Sequence, residues 1–296
     1  MSAAVKECLK SWIASRCDES TIKWINESCE LIAQNQLPQL YLRFGLASRK
    51  VPKLNLELSA EELSNAQSAQ TNWRPKNWSL IEAVRSLFVL SLPESDAAEY
   101  VKVLDRLFGA GEVSELVALY QALPLYPFPE AHVNRAAEGI RTNMRSVFCA
   151  VAHDNPYPTD QLPEGLWNQM VLKCLFVEVS LYPVIGLEDR NNAALSQMLS
   201  DYAHERWAAS RTVHPELWRC VDVDVYEPAI DDLSRVLTTG NDIERAAAGL
   251  ALTGKKSPAA IKLLDTQPEL KEKIEQRQIS WKTIHEQLFA SVVQNS

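Results

Sequence analysis

The chain has 296 residues, is 46% hydrophobic and 23% charged, and carries a formal net charge of -8. The acidic balance and the lack of a basic patch interleaved with aromatics exclude nucleic acid as a partner. Nine glycines against fifteen prolines suit helices punctuated by prolines, not strands joined by glycine turns. The opening MSAAVKECLKSW lacks the pattern of a secretion signal, and no run approaches the roughly 18 apolar residues a membrane span needs, so a cytoplasmic location is expected. Cys8, Cys17, Cys29, Cys149, Cys174 and Cys220 show neither C-x-x-C nor zinc-finger spacing, which fits reduced thiols. A glycine-rich phosphate loop, G-x-S-x-G and H-E-x-x-H are all missing.

The spacing predicts a first helix over residues 3–15 and a second capped by Asp18 or Ser20, with Ile22, Ile25, Cys29 and Ile32 on one face. Pro38 opens a third. Ser59 with Glu62 and Ser79 with Glu82 read as capping boxes, separated by the aromatic loop from Trp73 to Trp78. The helix from Ser79 to Leu92 is strongly apolar, the next runs from Asp96 to Gly109, and Glu112 to Ala122 follows before a proline-rich turn.

The stretch from Asn134 to Pro158 is the densest in polar residues that capping does not explain. Val133, Ala137, Ile140, Met144, Val147, Phe148 and Val151 form one apolar stripe, which predicts a single long helix ending before Asn155-Pro156. On its neighbouring face stand Asn134, Glu138, Arg141 and Arg145. Glu138 and Arg141 make a favourable pair, whereas Arg141 and Arg145 are like charges one turn apart, a spacing that favours an anion between them or a plain solvated face. Asn155 is expected to present its amide from a stiff loop.

The helix from Glu164 to Glu178 is apolar nearly all round, so Asn168, Gln169 and Lys173 need partners; for Lys173 the choice lies between snorkelling to an edge and meeting a carboxylate or a ligand anion. In the helix from Asn192 to Ser210, Arg206 lies on the apolar stripe, and Asp201, His204 and Glu205 have a spacing that metal sites use. Such triplets are common on helix surfaces and no second E-x-x-H helix completes a dinuclear site, so neither metal nor cofactor is expected; pairing of Asp201 or Glu205 with Arg141 or Arg145 is the stronger expectation. Residues 211–227 read as an extended crossover. Short helices then follow at 228–237, 242–252, 258–264, 268–276 and 281–292, marked by an Asn241–Glu244 capping box, a Gly254 C-cap and Pro258 after Ser257. The fold class is all-α: a multi-helix bundle with HEAT-like stacked helix pairs, especially toward the C-terminus.

The blocks RAAEGIRTNM from Arg135, DNPYP from Asp154, WNQMVLK from Trp167 and DYAHERWAA from Asp201, with ELVALYQALPLYPFPE upstream, resemble the EboA family. The resemblance is clearest from Trp78 to Trp218. The chain is expected to form one all-helical domain over 1–296, with sub-units at 1–78, 79–218 (the EboA-like core) and 228–292. Family members are described as metabolite traffic proteins of a bacterial gene cluster, linked to moving a secondary-metabolite product toward the membrane and periplasm. The resemblance implies partners among a small anionic metabolite and other proteins of that cluster, such as a membrane prenyltransferase-like protein, and carries over no catalytic residue. Two readings follow: a binding or adaptor protein, or an enzyme of unknown reaction whose pocket gathers Arg141, Arg145, Asn155, Asn168, Lys173, Asp201, His204, Glu205 and Arg206. Convergence of these residues in one pocket favours a small-molecule site; separate ion pairs favour a scaffold.

Overall fold

A computed structural model describes residues 2–294, and the chain divides into two compact units, Met1–Pro163 and Glu164–Ser296. Every regular element among the described residues is helical; one isolated bridge joins Asn55 to Ser79. No helix among them is long and apolar enough to cross a membrane.

The first unit holds α1 (Ser2–Ala14), α2 (Glu19–Ala33), α3 (Leu37–Lys50), α4 (Ala60–Ala69), α5 (Leu80–Leu90), α6 (Ala97–Ala110), α7 (Val113–Gln121), α8 (Val133–Arg141), α9 (Arg145–Ala152) and α10 (Tyr157–Gln161). Local chemistry sets many of the starts. Asp18 caps α2 by accepting from the Thr21 amide at 2.8 Å. Ser59 and Ser79 form reciprocal capping boxes with Glu62 and Glu82, which satisfy otherwise orphaned amides of α4 and α5. Helix α5 is the centre of this unit: each residue from Ala83 to Leu90 is buried, and it packs against α1, α2, α3 and α7. One of those residues is Arg85, only 2% exposed. Its guanidinium donates to Phe44 O at 3.3 Å, Ser114 O at 3.1 Å and Glu115 Oε1 at 3.2 Å, which ties α3 and α7 to the core helix. The aromatic loop packs inward, with Trp73 between Trp12 and Trp78 at centroid distances of 5.2 and 5.6 Å.

The expected single helix across 134–155 is two helices. Thr142 adopts an extended conformation, and its Oγ1 accepts from the Met144 amide at 3.2 Å. A threonine hydroxyl offers the backbone an alternative to the helical bond, and here the chain takes it. Helix α9 folds back onto α8 and packs against α7. The apolar stripe looks continuous in sequence because both helices bury a face, yet Met144, at the break, is exposed. The expected Glu138–Arg141 pair gives way to Glu138–Arg135 at 2.6 Å, with Arg135 also held by Asp105 at 2.6 Å.

The second unit holds α11 (Glu164–Phe176), α12 (Ala193–Ala208), α13 (Ala229–Thr239), α14 (Asp242–Leu252), α15 (Pro258–Asp265), α16 (Pro268–Glu275) and α17 (Trp281–Gln294). Part of the expected extended crossover is a 3-10 turn, Pro215–Cys220, whose proline fixes the first φ while Glu216, Leu217, Trp218 and Cys220 are buried. Helix α14 is the hub, packing against this turn and α13, α15, α16 and α17. Its run of Ala246, Ala247, Ala248, Gly249 and Ala251 allows close approach on several sides. The Asn241–Glu244 capping box, the Gly254 positive φ and the Ser257 cap with Pro258 stand where the spacing puts them.

Two stability predictions follow from the first unit. A Cβ at Gly139 would lie 2.6 Å from Val151 Cγ2 and 2.7 Å from Tyr120 Cε1. Gly139→Ala gains up to about 1 kcal/mol of helix propensity, but crowding a rigid ring in a packed core costs about 1–3 kcal/mol. The urea midpoint is therefore expected to fall; a rise would mean that the Tyr120 ring yields freely. Arg85→Met leaves Glu115 and two carbonyls without their buried donor, and is expected to cost about 3–5 kcal/mol by the same measurement. A loss below about 1 kcal/mol would remove Arg85 as the tie between α3, α5 and α7.

Candidate functional site

In the first unit, the 3-10 turn Pro75–Asn77, the end of α7, helix α9 and the loop after it enclose a cleft of about 180 Å³. It is lined by Arg74, Asn77, Trp78, Gln121, Ser146, Cys149, Ala150, His153, Asp154 and Asn155. Trp78, nearly fully buried, gives it a rigid apolar wall.

The loop owes its shape to Asn155. Its buried amide nitrogen donates to Tyr120 O and to Ala150 O, both at 3.0 Å, and its oxygen accepts from the Tyr157 amide at 2.9 Å. One side chain thereby joins the ends of α7 and α9 to the start of α10. The amide is fixed but not presented: it faces inward, with both N–H donors engaged. The residue it positions is Asp154, which sits in the left-handed region at φ 51°. Aspartate tolerates that region better than most side chains, at some cost in strain. Burial pushes its carboxyl above the ordinary range, against the opposing pull of Arg74, Lys76 and the Asn77 amide, which donates to Oδ2 at 3.3 Å. Burial likewise raises the Cys149 thiol, with Arg145 opposing, so the thiol stays protonated at neutral pH.

Gln121, at the end of α7, has its side-chain carbonyl oxygen buried with no hydrogen-bond partner among the described residues. A buried acceptor left unmet costs about 1–3 kcal/mol. Taken together, the lining offers one unmet acceptor, one carboxyl held partly out of water, the Arg74 cation and an indole wall. That set suits recognition of a small polar group.

The residues singled out from the sequence divide between the units. Arg141, Arg145 and Asn155 lie in the first; Asn168, Lys173, Asp201, His204, Glu205 and Arg206 lie in the second. Arg141 and Arg145 are exposed and stand on different helices, because of the break at Thr142. Asn168 exchanges amide bonds with Asn192 at 3.1 and 2.9 Å, and Asn192 also caps α12. Lys173 is half-buried, and burial pushes its ammonium pKa down. Asp201 and Glu205 are exposed; His204 Nε2 pairs with Asp232 at 2.5 Å, and Arg206 donates to Thr212 O at 3.0 Å. No group of three or more His, Cys, Asp or Glu side chains among the described residues is placed to share a metal ion. Sequence reasoning missed Arg74, Gln121, Trp78 and Asp154 as site residues. The WRPKNW loop and the Asp-Asn-Pro turn were the available signals, but nothing in their spacing joins residues 74–78 to 121 and 154.

A serine, an acid and a histidine also meet in the second unit. Ser180 Oγ donates to Glu216 at 2.9 Å and stands 3.0 Å from His285 Nδ1, itself 3.2 Å from Glu216 Oε1. The serine thus bonds the acid directly, and both face the same ring nitrogen. A catalytic triad needs the imidazole to bridge them through two nitrogens, so this cluster serves to satisfy a buried carboxylate, helped by the Leu181 amide at 2.6 Å.

The sequence model of the family described as metabolite traffic protein EboA matches residues 5–222, a span that contains the whole Asp154 cleft. No curated protein matches the chain, and no solved structure does. The match extends over well more than half of the 296 residues, and the chain belongs to the EboA family.

Proposed function

We propose that this EboA protein is a binding or adaptor protein that takes up the polar end of a small anionic metabolite in the Asp154 cleft. Its role on this reading is to hold a secondary-metabolite precursor in the cytoplasm and hand it on, toward the membrane and periplasm, to other proteins of the same gene cluster. The family description, metabolite traffic, supports the handling of a metabolite. The observation that carries the cleft is the buried, unpartnered Gln121 carbonyl. A hydroxyl or amine of the ligand meets it, while Arg74 meets the ligand's anionic group. A volume of about 180 Å³ is below the roughly 300–1,000 Å³ of pockets that engulf a drug-sized molecule, so the cleft grips one end of its ligand.

The alternative, an enzyme acting on the same anionic metabolite, draws on the raised carboxyl of Asp154 beside His153 in the cleft. Recovery of the bound compound unchanged after prolonged incubation separates binding from turnover.

Two outcomes are expected. Native mass spectrometry of protein purified gently from its host should show a bound mass of metabolite size, lost in Gln121→Leu and Arg74→Gln; retention in both variants removes the cleft as the binding site. Asp154→Asn should weaken that binding yet raise the melting temperature at pH 7. The carboxyl's folded pKa lies above its ordinary 3.8, so the cost to folding is absent below about 3.8, grows as the pH rises from there to the folded value, and is complete above it. The gain from Asn should therefore shrink as pH falls toward 3. A gain independent of pH would show that relief of strain, not of charge, is at work.

A further inference from the structure

The second unit has a cavity of its own, of about 240 Å³, where α12 ends and the chain passes α13 toward α14. Two indoles form its apolar part. Trp207 on α12 and buried Trp218 in the 3-10 turn lie 6.0 Å apart, nearly parallel at 25°. Two guanidiniums form its polar part. Arg235 of α13 stacks over the Trp207 ring at 4.1 Å from its centroid, and Arg211 follows the end of α12. Both arginines are exposed, and neither forms an ion pair with any described residue.

The backbone fixes these groups. Ser210 takes a positive φ of 54°, and the Arg211 amide donates back to Arg206 O at 2.8 Å, so the chain turns sharply with Arg211 at the turn. The Arg206 bond to Thr212 O holds the following segment. On the opposite wall, a Cβ at Gly240 would come within 2.6 Å of Val236 O, so glycine alone lets the chain close the cavity there. One carboxylate lines the cavity, that of Glu244, and its Oε2 already accepts from the Asn241 amide at 2.8 Å in the capping box. The nearby His204 and Asp232 are paired with each other. Two arginines therefore line the cavity with one carboxylate that is already engaged, and the local balance is cationic.

We propose that this cavity binds a planar aromatic acid, its ring against the accessible part of Trp207 and its carboxylate or phosphate between Arg211 and Arg235. A bare anion has no use for an indole, and a neutral ring has none for two unpaired guanidiniums. The Arg235–Trp207 stack has a purely structural reading, in which it only holds α13 against α12. That reading predicts no preference among ligands. The site is separate in residues from the Asp154 cleft, and it stands or falls independently of the function proposed there.

The test is isothermal titration of the full-length protein with 2-naphthoate, 2-naphthylmethanol and inorganic phosphate, followed in parallel by tryptophan fluorescence. The naphthoate is expected to bind one to one and at least about tenfold tighter than the alcohol or phosphate, since a charge-assisted bond is worth roughly a factor of ten or more. Arg211→Gln and Arg235→Gln should each weaken it about tenfold. Arg235→Lys should retain part of the affinity. Absence of naphthoate binding, equal affinity for the alcohol or for phosphate, or binding unchanged in both glutamine variants overturns the proposal. Were either variant to unfold, the comparison of the three compounds on the wild-type chain still decides it.

Discussion

The three hydrogen bonds of Asn155 are the constraint on which the candidate site depends. They close the loop between α9 and α10 onto the end of α7, three segments that local preferences leave unconnected. Once Asn155 is held, the residue before it has little choice, and Asp154 is carried into the left-handed region at the cleft edge. The strain there is stabilised by the buried amide beside it, so rigidity and strain come from the same dipeptide. Pro156 adds to this by excluding the helical conformation that would otherwise let α9 run on.

Elsewhere several buried polar side chains are met in full. Arg85 is surrounded by carbonyls, a hydroxyl and the Glu115 carboxylate. Glu216 has a serine, a backbone amide and a histidine. Asn168 and Asn192 complete each other. Seven buried side-chain polar atoms among the described residues have no partner, and the Gln121 carbonyl is the one of them that belongs to a residue of the cleft. The second cavity has different chemistry, with aromatic faces and uncompensated guanidinium groups in place of an orphaned amide.

The reading of Arg141 and Arg145 shows how far periodicity reaches. An unbroken apolar stripe puts them one turn apart on a single helix. The stripe is equally produced by two helices that each bury a face, and at the break the Thr142 hydroxyl takes up the Met144 amide. Helical propensity differs too little between these outcomes for the sequence alone to choose; packing of α9 against α7 and α8 supplies the difference.

Apart from the break at Thr142 and the short helix Tyr157–Gln161, which the prolines lead one to expect as loop, the helices, the capping boxes at Ser59, Ser79 and Asn241, the cap at Asp18 and the all-α class follow from the sequence, because each rests on interactions spanning three or four residues. Membership in the family was legible for a similar reason, since its blocks are continuous stretches. The cleft was not legible. It gathers residues 74–78, 121, 146–150 and 153–155, whose separations carry no periodic signal. The partners of Arg85, Glu216 and Asn155 lie between two and 69 positions away, and which of them meet is fixed only when the helices pack and every buried donor must find an acceptor.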